Sequence, residues 1–189
     1  KFVLFSGNFC TAVGSQCCCD HLYDINFYND SWGKNYILPN LRTRGQTRFR
    51  VVSQQNGTQV SVNGGPVQNI NAGQYYQFDL SANGSLTSNN PVSVLQLSMS
   101  GDVDGSSADP FMILLGPNEQ TLNEITFNTL FNSGNSPNYY ATIVTKSNST
   151  GLITLDGAPI TGFVPVASNP AYSIASPTVA YVSHTIKSD

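Results

Sequence analysis

TRFRVVSQQNGTQVSVNGGPV, residues 47–67, and YATIVTKSNSTGLITLDGAPI, residues 140–160, carry the same parts in the same order. Each opens on an alternating apolar run (Phe49 and Val51; Ala141 and Ile143) and passes through a polar turn holding a sequon (Asn56-Gly57-Thr58; Asn148-Ser149-Thr150). A second alternating run follows (Val60 and Val62; Ile153 and Leu155), closed by a glycine turn and a proline (Asn63-Gly64-Gly65-Pro66; Asp156-Gly157-Ala158-Pro159). Successive side chains leave a strand on opposite faces, so strict alternation marks a strand with one face buried. Asn-Gly or Asp-Gly between two such runs marks a tight hairpin. The unit reads as a β-meander used twice, its two sequons 92 positions apart (148 − 56).

The repeat extends weakly beyond these stretches. Asn90-Pro91-Val92-Ser93-Val94-Leu95-Gln96 has a looser partner in Lys1-Phe2-Val3-Leu4-Phe5-Ser6. A chain that opens directly on a strand-like run reads as a processed or excised part of something longer.

With 189 residues the chain is expected to form one β-rich domain with an internal repeat, approximately 1–100 and 101–189. Only 10% of residues are charged, against about 25% in an average soluble protein. Amides and hydroxyls therefore coat the surface. A net charge of −3 speaks against nucleic-acid binding, which needs a basic footprint. The longest apolar run, Phe111-Met112-Ile113-Leu114-Leu115, is strand length and far short of a membrane span. Half of the eight basic residues, Arg42, Arg44, Arg48 and Arg50, fall within residues 41–50. They form either a strand face with local salt bridges or a small site for an acidic glycan or carboxylate.

Cys10, Cys17, Cys18 and Cys19 lie within ten residues, and Asn29, Asn56, Asn83 and Asn148 each begin an Asn-X-Ser/Thr acceptor for N-glycosylation. Both features fit an oxidising, secreted setting. A zinc site using these thiols and His21 is the rival reading, but three consecutive cysteines and no second CxxC suit a tetrahedral cage poorly. A loop closed by Cys10 with one of Cys17, Cys18 and Cys19 fits better, the second bridge using the remaining two or a cysteine of another chain; four cysteines allow three pairings.

Catalytic signatures are sparse. His21 and His184 are the only histidines, no serine sits in a nucleophile elbow, and there is no phosphate-binding loop, dinucleotide fingerprint or metalloprotease motif. Asp20-His21 is the nearest thing to a catalytic pair, although neighbours on extended backbone point apart. Glu119 and Glu124 are expected as exposed loop residues rather than the opposed pair of a glycosidase. Asp102, Asp104 and Asp109, around Gly105 and two serines, offer an oxygen set for Ca²⁺, with a metal-free acidic turn as the alternative.

Several segments together resemble a known family. Phe5-Ser6-Gly7-Asn8 near Cys10, Cys19-Asp20-His21-Leu22-Tyr23-Asp24, Ser31-Trp32-Gly33-Lys34 with Tyr36-Ile37-Leu38-Pro39, Ala72-Gly73-Gln74-Tyr75-Tyr76-Gln77-Phe78, Pro91-Val92-Ser93-Val94, Asp109-Pro110-Phe111-Met112 with Pro117-Asn118-Glu119-Gln120, and His184-Thr185-Ile186-Lys187-Ser188-Asp189 are similar to the N-terminal domain of IgGFc-binding protein. The resemblance implies a β-rich, non-enzymatic extracellular module of mucus, matrix or adhesive proteins. It implies neither Fc binding nor a defined contact motif. Members usually carry a further strand after the His-Thr-Ile segment; either the ends are trimmed here, or a neighbouring molecule donates that strand.

Strands are expected near 1–6, 35–39, 47–54, 58–63, 74–80, 91–99, 110–115, 139–146, 151–156 and 178–183, with a long Cys-bearing excursion over 7–34 and room for a short helix only in 117–137. This is an all-β, antiparallel β-sandwich built from two related β-meander repeats, with little helix. The expected function is a non-catalytic, secreted glycoprotein module for adhesion or assembly, whose partners are further copies of itself, matrix or mucus proteins, or glycans. Tyr28 and Trp32, with Tyr23 and Phe27, are candidate contacts. Carbohydrate or protein recognition is the alternative.

Overall fold

The computed structural model describes residues 2–15, 17–105, 109–129 and 138–188. Two compact units emerge from its contacts, Lys1–Gln120 and Thr121–Asp189. Both are built of β-strands paired antiparallel throughout, with a single turn of α-helix at Gly101–Asp104 and 3-10 turns at Asn29–Ser31 and Ser147–Leu152 among the described residues, so the short helix lies outside the 117–137 stretch expected for it.

In the first unit the strands are β1 (Leu4–Thr11), β2 (Asp20–Asn26), β3 (Gly33–Leu38), β4 (Thr47–Ser53), β5 (Thr58–Val62), β6 (Gln68–Ile70), β7 (Tyr75–Leu80), β8 (Gly84–Ser98) and β9 (Met112–Leu115). The long β8 runs through one continuous seven-stranded sheet, which curls into two sheets sharing this strand. Its first part pairs with β3 and β5, giving the order β3-β8-β5-β6. Its second part pairs with β4 and β9, giving β9-β8-β4-β7. The change of partner falls between Ser88, opposite Val60, and Val92, opposite Ser53. Pro91 sits in that interval, where a residue without an N–H costs the ladder nothing. Tyr36, Leu38, Phe49, Val51, Val60, Ile70, Leu86, Val92 and Val94 fill the space between the two sheets.

The corner of β8 is pinned by Tyr36, which is 1% exposed. Its hydroxyl donates to the Val92 carbonyl (2.6 Å) and accepts from the Gly33 N–H (3.1 Å), and burial pushes its pKa up to about 12. Tyr36→Phe leaves a buried donor and acceptor unpaired, and is expected to lower unfolding free energy by about 1–3 kcal/mol in urea denaturation.

The two alternating runs of residues 47–67 both become strands, but they do not pair with each other. β4 and β5 pair instead with successive parts of β8. The sequon turn is therefore a corner between two sheets rather than a hairpin loop, and the hydroxyls of Ser53 and Thr58 close it at 2.6 Å. The tight turn is the next one. Asn63 and Gly64, with φ of 54° and 68°, have the paired positive angles of a hairpin turn and lead from β5 towards β6.

The second unit contains β10 (Glu124–Asn128), β11 (Tyr139–Tyr140), β12 (Ile143–Lys146), β13 (Ile153–Leu155), β14 (Ala158–Pro159), β15 (Val164–Val166), β16 (Asn169–Ala175), β17 (Thr178–Val179) and β18 (Ser183–Ser188). Its four-stranded sheet has the order β10-β18-β13-β14, the same arrangement as β3-β8-β5-β6. β12 pairs with β16 as β4 pairs with β7. The correspondence reaches individual atoms: the Asn63 side-chain Oδ1 accepts from the Ser85 N–H at 2.9 Å, and the Asp156 carboxylate accepts from the Thr185 N–H at 2.8 Å. Asp156 and Gly157 repeat the positive φ angles, 52° and 81°. Ile153, Ile160 and Ala175 form this unit's core, with Ile143, Leu155, Phe163 and Ile186 against them.

Other elements differ from the sequence reading. Strand β2 lies inside the expected excursion over 7–34, and β16 and β10 occupy stretches not expected as strands. Of the stretch 117–137 offered for a helix, the described part contains β10; residues 130–137 lie outside the described residues.

Candidate functional surface

β1 and β2 form a ribbon whose two faces have different chemistry. One face turns inward: Leu22 is buried with Val13, Leu97 and Met99, and the Asp24 carboxylate accepts the Leu114 N–H of β9 at 2.8 Å. The other face is apolar and exposed. Phe5 stacks on Tyr23 with centroids 5.5 Å apart, and Phe9 meets the edge of His21 at 4.9 Å. Phe9 is 81% exposed and Tyr23 66%, with Val3 and Ile25 exposed beside them. Gly7 lies opposite Tyr23, where a Cβ would collide with the Leu22 carbonyl. Cys10–Cys19 ties the two strands near the far end of the ribbon, and Cys17–Cys18 joins neighbouring residues in its turn.

Tyr28 is exposed next to this ribbon, while Trp32 is half-buried and donates Nε1–H to the Phe27 carbonyl at 3.4 Å. Asp20 and His21 do face each other, contrary to the rule for extended neighbours. The carboxylate turns back to accept the His21 N–H (2.7 Å) and meets Nδ1 at 3.1 Å, contacts that lower the Asp20 pKa. Glu119 is likewise no free loop residue. Its Oε1 accepts from the Lys34 and Asn35 N–H groups and from the Asn35 amide, at 3.1, 3.1 and 2.7 Å, beside the bulge between Gly33 and Asn35. Glu124 pairs with Lys187 across β10 and β18 at 3.0 Å.

The four arginines do not form one site. Arg42 is exposed. Arg44 is buried against Asp104 (3.2 Å) and donates to the Asp109 carbonyl. Arg48 makes two bonds to Asp79 at 2.7 and 2.8 Å. Arg50 donates twice to Gln77 and lies 4.5 Å over the Tyr75 ring. Next to Tyr75 a groove of about 530 Å³ is lined by Gln68, Asn69, Ile70, Gly73, Gln74, Tyr75 and Tyr76.

The same contacts engage two of the three aspartates offered as calcium ligands. Asp104 is committed to Arg44 and the Gln46 N–H, and Asp102 accepts from Ser15 at 2.8 Å. Ser106 and Ser107 lie outside the described residues. Among the described residues, a group of three candidate metal ligands forms at Cys17, Cys18 and Asp102, where the two sulfurs are joined to each other. Of the sequon asparagines, Asn29, Asn56 and Asn148 are exposed, whereas Asn83 is half-buried and accepts the Asn40 N–H at 2.8 Å.

His184 is buried, with Nδ1 2.6 Å from Asp156 and Nε2 2.9 Å from the Ala180 carbonyl. Both partners are acceptors, so only the doubly protonated ring satisfies both. The Asp156 bond, then the Ala180 bond, raise the His184 pKa above 6.5, while the His184 bond, then the Thr185 N–H, lower that of Asp156. The His184 contribution to stability is full below about pH 6.5 and is lost as pH rises through the raised value. The Asp156 contribution is lost as pH falls through a value below 3.8. Calorimetry is expected to show Tm falling as pH rises above about 6.5; His184→Gln should flatten that decline, and an unchanged profile would refute the assignment.

A disulfide-bonded, all-β module with an exposed aromatic ribbon is the class defined by these features. The family model described as IgGFc binding protein matches residues 1–189, and the chain belongs to that family. No curated protein and no solved structure matches it. Membership and the two disulfides are consistent with an extracellular protein.

Proposed function

We propose that this chain is a non-catalytic, extracellular glycoprotein module that adheres to or assembles with other copies or with matrix and mucus proteins. The observation that carries the reading is the β1–β2 ribbon, with its disulfides at one end and an outward face of Val3, Phe5, Phe9, Tyr23 and Ile25. Large aromatic surface left in water marks a contact site, because its burial against a partner supplies most of the binding energy. N-glycans on Asn29, Asn56 and Asn148 fit a surface poor in ions. Light scattering and intact mass on natural material, with and without reductant, test the reading. Large particles support it, and a monodisperse monomer that retains no matrix or mucus protein refutes it.

A second reading, carbohydrate recognition, is favoured by the groove beside Tyr75. Side-chain amides and a ring carrying a guanidinium on one face suit the hydroxyls and C–H faces of a sugar. Saturable binding on a glycan array that disappears in Tyr75→Ala would favour this reading over assembly.

A further inference from the structure

The curled sheet of the first unit leaves a seam. Its strands run β6-β5-β8-β4-β7, and among the described residues the two end strands do not pair with each other. The groove beside Tyr75 lies on this seam, with walls taken from β6, from β7 and from the turn between them. That turn is tied down: the Gly73 N–H donates to the Ser53 carbonyl at 2.8 Å, and the Asn71 N–H donates to the Gln74 Oε1 at 2.9 Å. Walls fixed in advance lower the ordering cost of binding. Gln68 and Asn69 add exposed side-chain amides that bond to no other described residue, and Tyr75 is 58% exposed.

No charged residue lines the groove itself, but one cation reaches its wall. Arg48 and Arg50 occupy alternate positions of β4 and so share a face of the sheet. Arg48 is neutralised by Asp79. Arg50 meets only the uncharged amide of Gln77, and no described carboxylate lies within ion-pair distance of it. Gln77 Oε1 occupies the Nε and Nη2 side of the guanidinium at 3.3 and 2.8 Å, while the Tyr75 ring lies 4.5 Å away. Among the described residues Nη1 has no acceptor. A half-buried guanidinium that is permanently charged, held in orientation and still able to donate suits a carboxylate or sulfate, which it binds through paired N–H bonds.

We propose that the seam groove binds an anionic sugar, with the sugar ring against Tyr75 and its carboxylate or sulfate taken by the Nη1 side of Arg50. The inference rests on the carbohydrate reading above and names its ligand class. The amides of Gln68 and Asn69 serve the hydroxyls of the sugar, and Arg50 supplies the preference for charge.

The test titrates the full chain over a glycan array that carries each core in matched neutral, sialylated and sulfated forms. Wild type should bind one of the anionic forms at least about tenfold more tightly than its neutral match, and the form preferred identifies the anion. Added salt should narrow that gap. Arg50→Gln should abolish the gap while its Tm stays that of wild type, which separates lost recognition from lost fold. Tyr75→Ala should weaken every form. A gap that survives in Arg50→Gln, or that salt leaves unchanged, overturns the assignment to Arg50. Equal binding of neutral and anionic forms overturns the inference and leaves carbohydrate recognition standing. An array on which no glycan binds overturns both.

Discussion

Replacing Arg44 by alanine is expected to destabilise the first unit by about 3–5 kcal/mol, as large an effect as any single polar substitution in this chain should have. The Arg44 side chain is 8% exposed and that of Asp104 1%, with their charged atoms 3.2 Å apart. The guanidinium also reaches the carbonyls of Met99 and Asp109, so one side chain ties Met99, Asp104 and Asp109 to the loop that precedes β4. Alanine removes the positive partner and leaves the Asp104 carboxylate buried with, among the described residues, the bond from the Gln46 N–H at 3.3 Å. A buried charge without its partner costs far more than the intact pair contributes. Arg44→Met combined with Asp104→Leu removes both charges and should recover most of the loss. Urea denaturation of the single and double variants decides the matter. A single-variant loss below about 1 kcal/mol would show that the pair behaves as an exposed surface bridge.

That ion pair also shows where sequence reading stops. Arg44 and Asp104 were each legible as charged residues in informative places, one in a basic run and the other in an acidic turn. Neither spacing could show that they pair with each other across 60 positions. Local turn chemistry was more readable. Asn63-Gly64 and Asp156-Gly157 are tight turns because only residues tolerant of positive φ fit there, a property visible in the residues themselves. Pairing was less readable. Two alternating runs joined by Asn56-Gly57 look like a hairpin, and nothing local reveals that a third strand, β8, outcompetes each run for the other. The polar residues 84–90 concealed the first half of β8, and the Cys-rich context concealed β2, since a strand facing water on one side needs few apolar residues. The aromatic ribbon was partly visible as a concentration of rings. Its division into a buried Leu22 face and an exposed Phe5 and Tyr23 face came only with the register of β1 on β2.

Phe49→Ala should cost the first unit about 3–5 kcal/mol, the usual range for deleting a fully buried ring. Phe49 has no exposure and occupies the middle of β4, opposite Phe78 on β7 and Gln96 on β8. Its ring stacks on Phe78 at 5.6 Å, and Phe78 is in turn stacked on Tyr76 at 5.2 Å. Alanine therefore empties the space between the two sheets and takes the first ring out of a row of three. Neighbours on a strand ladder can move little without breaking backbone hydrogen bonds, so the cavity should not close. Phe49→Leu keeps most of the volume while losing the stacking, and should cost about 1–2 kcal/mol. Equilibrium denaturation of the two variants separates volume from ring contact. A Phe49→Ala loss as small as that of Phe49→Leu would mean that the sheets collapse onto the vacancy, and that β8 is less firmly fixed at its corner than the Tyr36 bonds imply.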